Sequence, residues 1–148
     1  MTLGMISWIQ EEDFKRVKEK GLSFVELDVN DRAEEFLKHV DEIKGYSERY
    51  ELPVQAVGRW GSGRICKEGI CKEELSLECK LIDAAAKLGC TIYITGCNYI
   101  EELSYYENCS LAISYFEKLI AYGKEKGVKI ATYNCRWNNF VCDPMAFT

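Results

Sequence analysis

The sequence predicts an α/β fold, part of a TIM (β/α) barrel with about five parallel strands and four helices. Three observations point there. The first is a repeat: KEKGLSFVELD (18–28), AKLGCTIYITG (86–96) and KEKGVKIATYN (124–134) share one design. Each passes from the end of a charged helix through a glycine into a short apolar run. The glycine suits the left-handed residue that closes a helix, and nearby lysine suits the helix's negative end. A fourth copy, SERYELPVQAVG (47–58), uses Leu52-Pro53 as the breaker. Recurring at intervals of about 30 to 40 residues, helix, turn and buried strand form the βαβ unit of a parallel sheet. The second observation is that no helix covers the last strand, as one would in a doubly wound sheet. The third is the loop after the first strand, SWIQEEDF. Its acids suit a helix N-terminus but repel a phosphate, which argues against a nucleotide-binding open sheet.

The elements follow in order. The first strand is predicted over Leu3 to Ser7 and the first helix over Glu11 to Lys20. The second strand is Phe24 to Asp28. The second helix runs from Asp31 to Tyr50; DRAE reads as its capping box, and Ala33, Phe36, Leu37, Val40 and Ile43 share one face. The third strand is Val54 to Val57, followed by a glycine-rich loop. The third helix spans Lys72 to Leu88, with Leu75, Cys79, Ile82 and Ala86 inward. The fourth strand is Ile92 to Thr95. The fourth helix starts at SYYE (104–107) and ends at Lys126, with Ala112, Phe116 and Leu119 inward. The fifth strand is Val128 to Tyr133.

The chain of 148 residues suffices for one domain with a real core. A net charge of −5, with bases scattered among acids, excludes a general nucleic-acid binder. No apolar run approaches the roughly 20 residues of a membrane span. The N-terminus, MTLGMISWIQEEDF, has no basic region before its apolar residues, so it does not read as a signal peptide. The expected location is the cytoplasm. The 8 cysteines include no CxxC, the nearest pair being CKEGIC. They read as reduced thiols filling apolar gaps.

In such an architecture, chemistry gathers at the C-terminal ends of the strands. Those ends carry Trp8, Glu26, Arg59, Trp60, Asn98, Tyr133, Asn134, Arg136, Trp137 and Asn138. All 3 tryptophans fall there, which predicts a small-molecule pocket. Flat rings give walls for a sugar-like ligand, while Asn and Arg fix hydroxyls or an anion. Glu26 alternates with apolar residues in FVELD. It reads either as an acid or base at the mouth or as a buried carboxylate tied to a lysine such as Lys129. Asp28 and Asn30 read as turn and cap residues.

The stretches GVKIATYNCRWNNFVCDPMAF (127–147), FVELDVND (24–31) and MISW (5–8) resemble the fifth, second and first strands of the sugar phosphate isomerase/epimerase family. These are the xylose isomerase-like TIM barrels. The resemblance implies a barrel that binds a divalent metal (Mn, Mg, Co or Zn) and moves a proton between neighbouring carbons of a sugar or sugar phosphate. It implies Glu26 as the acid or base, with Asn134, Arg136 and Trp137 positioning substrate. Many members end the fifth strand with Glu-Asn-His, where the glutamate binds metal; here the run is Tyr133-Asn134-Cys135. Tyrosine is a poor ligand for Mg or Mn. The family's remaining ligands lie on later strands. The expectation is therefore an N-terminal portion of a barrel, incomplete as an enzyme and with no metal ligand assigned. Two alternatives are a non-catalytic half-barrel that persists as a homodimer or higher oligomer through its open edges, and a flavodoxin-like binding module.

Overall fold

The computed structural model describes residues 1–61 and 63–133. Five parallel strands form one sheet: β1 (Gly4–Ser7), β2 (Phe24–Asp28), β3 (Val54–Arg59), β6 (Ile92–Thr95) and β7 (Lys129–Thr132), in the order β1-β2-β3-β6-β7. Strand order follows chain order throughout. That is the progression of a barrel wall, whereas a doubly wound sheet, and with it the flavodoxin-like alternative, reverses direction at a switch point. The connecting helices are α1 (Glu11–Glu19), α2 (Ala33–Lys38), α3 (Val40–Tyr50), α4 (Lys72–Lys87) and α5 (Tyr105–Lys126). Right-handed crossovers between successive neighbours put all of them on one face. None of them is long and apolar enough to cross a membrane.

The core lies between that helix layer and one face of the sheet. Val25, Leu27, Val57 and Tyr93 of the strands are fully buried there against Phe14, Val17, Phe36, Ile43, Leu81, Ile82, Tyr115 and Leu119 of the helices. Alternation places Phe24, Glu26 and Asp28 on the opposite, inner face. Register aligns Glu26 with Ile6 on one side and Ala56 on the other. A β-bulge between β2 and β3, at Val25/Glu26, re-aims the upper half of β3.

The punctuation behaves as local chemistry requires. Gly21, Gly89 and Gly127 take positive φ just past α1, α4 and α5. In the fourth copy the left-handed position falls to Glu51 (φ 52°, ψ 44°), one residue before Leu52-Pro53. Ser104 caps α5 through a reciprocal pair: its hydroxyl accepts the Glu107 N–H, and Glu107 accepts the Ser104 N–H.

Three expectations need correction. The second helix is not continuous. A 3₁₀ turn (Asn30–Arg32) leads into α2, and His39 (φ −113°, ψ 17°) separates α2 from α3. The bend lets α2 pack on α4 while α3 packs on α1. The DRAE capping box does not form, because Asp31 sits inside the 3₁₀ turn and α2 has no side-chain cap. The glycine-rich loop holds an unanticipated hairpin, β4 (Ile65–Cys66) with β5 (Gly69–Ile70).

Left-handed backbone costs a non-glycine residue about 1 kcal/mol or more. The Lys18–Glu51 ion pair is exposed and contributes little. Glu51→Gly is therefore expected to raise stability by about 0.5 to 1 kcal/mol in urea unfolding; an unchanged or lower midpoint would count against the left-handed assignment.

Candidate functional site

Two glycines shape the mouth of the sheet. Gly58 stands opposite Asp28 and Ile94. A Cβ there would lie 2.9 Å from Cζ2 of Trp60, so the indole folds back across Gly58. Gly96 follows β6, and a Cβ there would lie 2.7 Å from Cε1 of Tyr133. Both close approaches require the absence of a side chain. The two rings meet edge to face, with centroids 4.9 Å apart at 90°, a favoured aromatic geometry. The Gly61 N–H donates to the Tyr133 hydroxyl at 3.2 Å, tying the loop after β3 to the end of β7.

Trp8 stands at the end of β1, 48% exposed, with the Arg16 guanidinium 5.6 Å from its ring centroid. It lines a cavity of about 200 Å³ with Asp28, Asn30, Asp31 and Arg32. Asp28 accepts the Asn30 N–H at 3.0 Å, the turn role expected of it. Glu26 lies one pleat below Asp28 on the inner face. Burial, then the charge of Asp28, raises its pKa above the usual carboxylate value. It forms no ion pair with Lys129, which is exposed on β7 at the sheet edge.

Two candidates are turned elsewhere. Arg59 points to the helix layer, where Nη1 donates to Glu74 and to Glu78 at 2.7 Å each. Burial pulls its pKa down, yet those two carboxylates outweigh it and raise the value overall. Asn98 is buried, and its Oδ1 accepts the N–H groups of Arg64 (2.9 Å) and Ile65 (3.1 Å). Its amide donates to the Ile65 carbonyl at 3.0 Å. It braces the β4–β5 hairpin and does not reach toward a ligand. Asn134, Arg136, Trp137 and Asn138 lie outside the described residues.

The sequence reading missed a buried polar cluster behind the mouth. Glu78 of α4 is fully buried and accepts from Arg59, from Tyr93 Oη at 2.8 Å and from Arg64 Nη2 at 3.2 Å. Burial, then the Glu78 charge, drives the Tyr93 pKa well above normal. The only hint in the sequence was a glutamate next to the apolar stripe of α4. The thiols fit their bland reading. Burial pushes Cys97 up to about 12, and burial with neighbouring Cys66 pushes Cys71 up to about 11, so both stay protonated.

Among the described residues no three His, Cys, Asp or Glu side chains converge on one point. Glu26 and Asp28 place two carboxylates on the inner face.

No family model matches the sequence, and no curated protein matches it. Solved structures do match the fold. D-allulose 3-epimerase from Methylomonas sp., in complex with D-allulose, aligns with TM-score 0.73 at 16% identity, over 99% of this chain and 57% of that one. The 3-keto-D-glucoside 4-epimerase YcjR from E. coli aligns with TM-score 0.71 at 16% identity, over 95% and 58%. The IOLI protein with a binding zinc atom aligns with TM-score 0.70 at 14% identity, over 89% and 51%. The chain spans a little over half the length of these structures. At such identities the likeness is one of fold.

A raised pKa means the native state holds the Glu26 proton more tightly than the unfolded chain does. Stability therefore falls as pH rises through the window from the unfolded to the folded pKa. Glu26→Gln removes that loss. The variant is expected to exceed the parent in stability at pH 7, with the gap closing as pH drops through the Glu26 pKa. Urea unfolding between pH 4 and 7 checks this, and a pH-independent gap would contradict it.

Proposed function

We propose that this chain, which has the fold of part of a xylose isomerase-like TIM barrel, forms one wall of a sugar site and serves proton transfer through Glu26. The observation that carries the reading is the Trp60–Tyr133 pair, seated over Gly58 and Gly96 on the face that carries Glu26 and Asp28. Flat rings offer an apolar wall to the C–H face of a sugar, and nearby carboxylates accept its hydroxyl protons. Glu26, whose pKa burial and the Asp28 charge raise above the usual carboxylate value, suits exchange of a proton with a carbon next to a carbonyl. The epimerases of similar fold are named for D-allulose and for a 3-keto-D-glucoside, and one holds D-allulose, which supports a sugar as the substrate class. Arg59 and Arg64 both engage Glu78, so these two arginines are not offered to a phosphate ester, and the reading favours an uncharged sugar.

β1 and β7 each pair on one side only among the described residues. Apolar side chains lie exposed near both edges: Leu3, Ile6 and Trp8 at β1, and Ile113 and Ile120 on α5, which packs on β7. Open edges of this kind favour assembly. A second copy of the chain is the partner proposed for them.

Sugar binding is tested by tryptophan fluorescence and calorimetry with D-allulose, D-tagatose, D-fructose and D-fructose 6-phosphate. At least one free ketose is expected to bind saturably, more tightly than the phosphate ester. Trp60→Ala is expected to weaken binding about tenfold, equivalent to about 1.4 kcal/mol. Absence of binding by all four, or equal affinity in the variant, would sink the reading. For the assembly, light scattering is expected to give a mass at least about twice the 17.0 kDa of one chain; a monodisperse monomer would exclude the second-copy partner.

A further inference from the structure

The aromatic wall is held from behind. Arg64 is 1% exposed and Glu78 0%. The Arg64 guanidinium pairs with Glu78 at 3.2 Å, and the same Nη2 donates to the carbonyls of Arg59 (3.3 Å) and Trp60 (3.4 Å). The next residue, Gly61, donates its N–H to Tyr133. A continuous polar chain thus runs from the middle of α4, through Arg64 and the backbone of residues 59–61, to both rings. Arg64 is itself held at its backbone by Asn98, so the fork approaches those carbonyls from a fixed base.

We infer that Glu78 and Arg64 are positioning residues, which set the Trp60 ring against Tyr133 by clamping the carbonyls of residues 59 and 60. The physical ground is direction. An apolar pair of the same volume would fill the space behind the loop, but it would exert no orienting force on two carbonyl groups. The Nη2 group lies in the rigid guanidinium plane and donates along fixed directions, and Glu78 holds that plane in place. Arg59 shares Oε1 of that carboxylate with Arg64, Tyr93 donates to Oε2, and the two hold it in turn. The purpose assigned to the wall rests on the sugar-binding reading, but the arrangement can be read from the ring itself.

The test uses the full chain with Trp8→Phe and Trp137→Phe, which leaves Trp60 as its only tryptophan. Time-resolved fluorescence anisotropy then reports the motion of that indole. Glu78→Gln removes the charge that holds Arg64. Arg64→Lys keeps a cation for Glu78, but its shorter, freely rotating ammonium replaces the fixed plane of Nη2 and imposes no direction on the carbonyls. In either variant, the fast depolarising amplitude of Trp60 is expected to rise at least twofold, with far-UV circular dichroism unchanged. A companion protein with Trp60→Phe and Trp137→Phe reports Trp8, whose amplitude is expected to stay constant. A general loosening of the fold would move both reporters, and that result overturns the inference. So does a folded variant whose Trp60 stays as rigid as in the parent. If neither variant folds, the cluster serves stability alone and the inference is equally overturned. Where a ketose binds the parent, its Kd is expected to rise at least fivefold in Arg64→Lys. If none binds but Trp60 loosens, the sugar reading fails while the positioning role stands.

Discussion

Glu78 is the constraint around which this structure is arranged. It is a carboxylate with no solvent exposure, and the end of β3, Tyr93 within β6, Arg64 just before the hairpin and α4 all meet at it. Taking such an ion out of water costs on the order of several kcal/mol, and removing one member of a buried pair costs about 3 to 5 kcal/mol. The cost is tolerated here because the oxygens of Glu78 are engaged by Arg59, Arg64 and Tyr93. Those contacts leave α4 little freedom to rotate or slide beneath the sheet. They also fix where β3 ends, because Arg59 is the last residue of that strand.

The outer constraint determines the inner face. Sequential strand order puts the helices on one side and leaves the other to Glu26, Asp28, Trp60 and Tyr133. The rings fit only because Gly58, next to last in β3, and Gly96, just past β6, carry no side chain. The same backbone that Arg64 clamps from behind carries the indole in front. Packing of the core and shape of the mouth are therefore one problem, joined at residues 59–61.

The chemistry of the mouth follows from this division. Arg59 and Arg64 are drawn toward the core by Glu74 and Glu78. Among the described residues the inner face carries Trp60 and Tyr133 together with Glu26, which is partly desolvated beside Asp28, and Arg32 lies with Asp28 and Trp8 at a small cavity.

Much of the fold was legible because its signals are local. Glycine after a lysine-rich helix end, an apolar run of four or five residues, and Ser104 with Glu107 each act within a few positions along the chain. They located all five sheet strands, most helix ends and the buried face of residues 33–43. The site was legible only in part. Periodicity turned Leu75, Cys79, Ile82 and Ala86 inward; Ile82 is fully buried and the other three pack half-buried against the core, but periodicity passed over Glu78, Leu81 and Ala85, which are fully buried as well. The partner that draws Glu78 inward, Arg59, lies 19 residues earlier. Arg59 and Asn98 looked like ligand-binding groups because arginine and asparagine at strand ends often are; both are spent on the protein itself, Asn98 on a hairpin 33 residues away. The sequence by itself determined which segments are strands and helices and that their ends would gather polar and aromatic groups. Only the tertiary structure decided which of those groups face the mouth and which face the core, because that choice depends on pairing between charges and amides far apart in the chain.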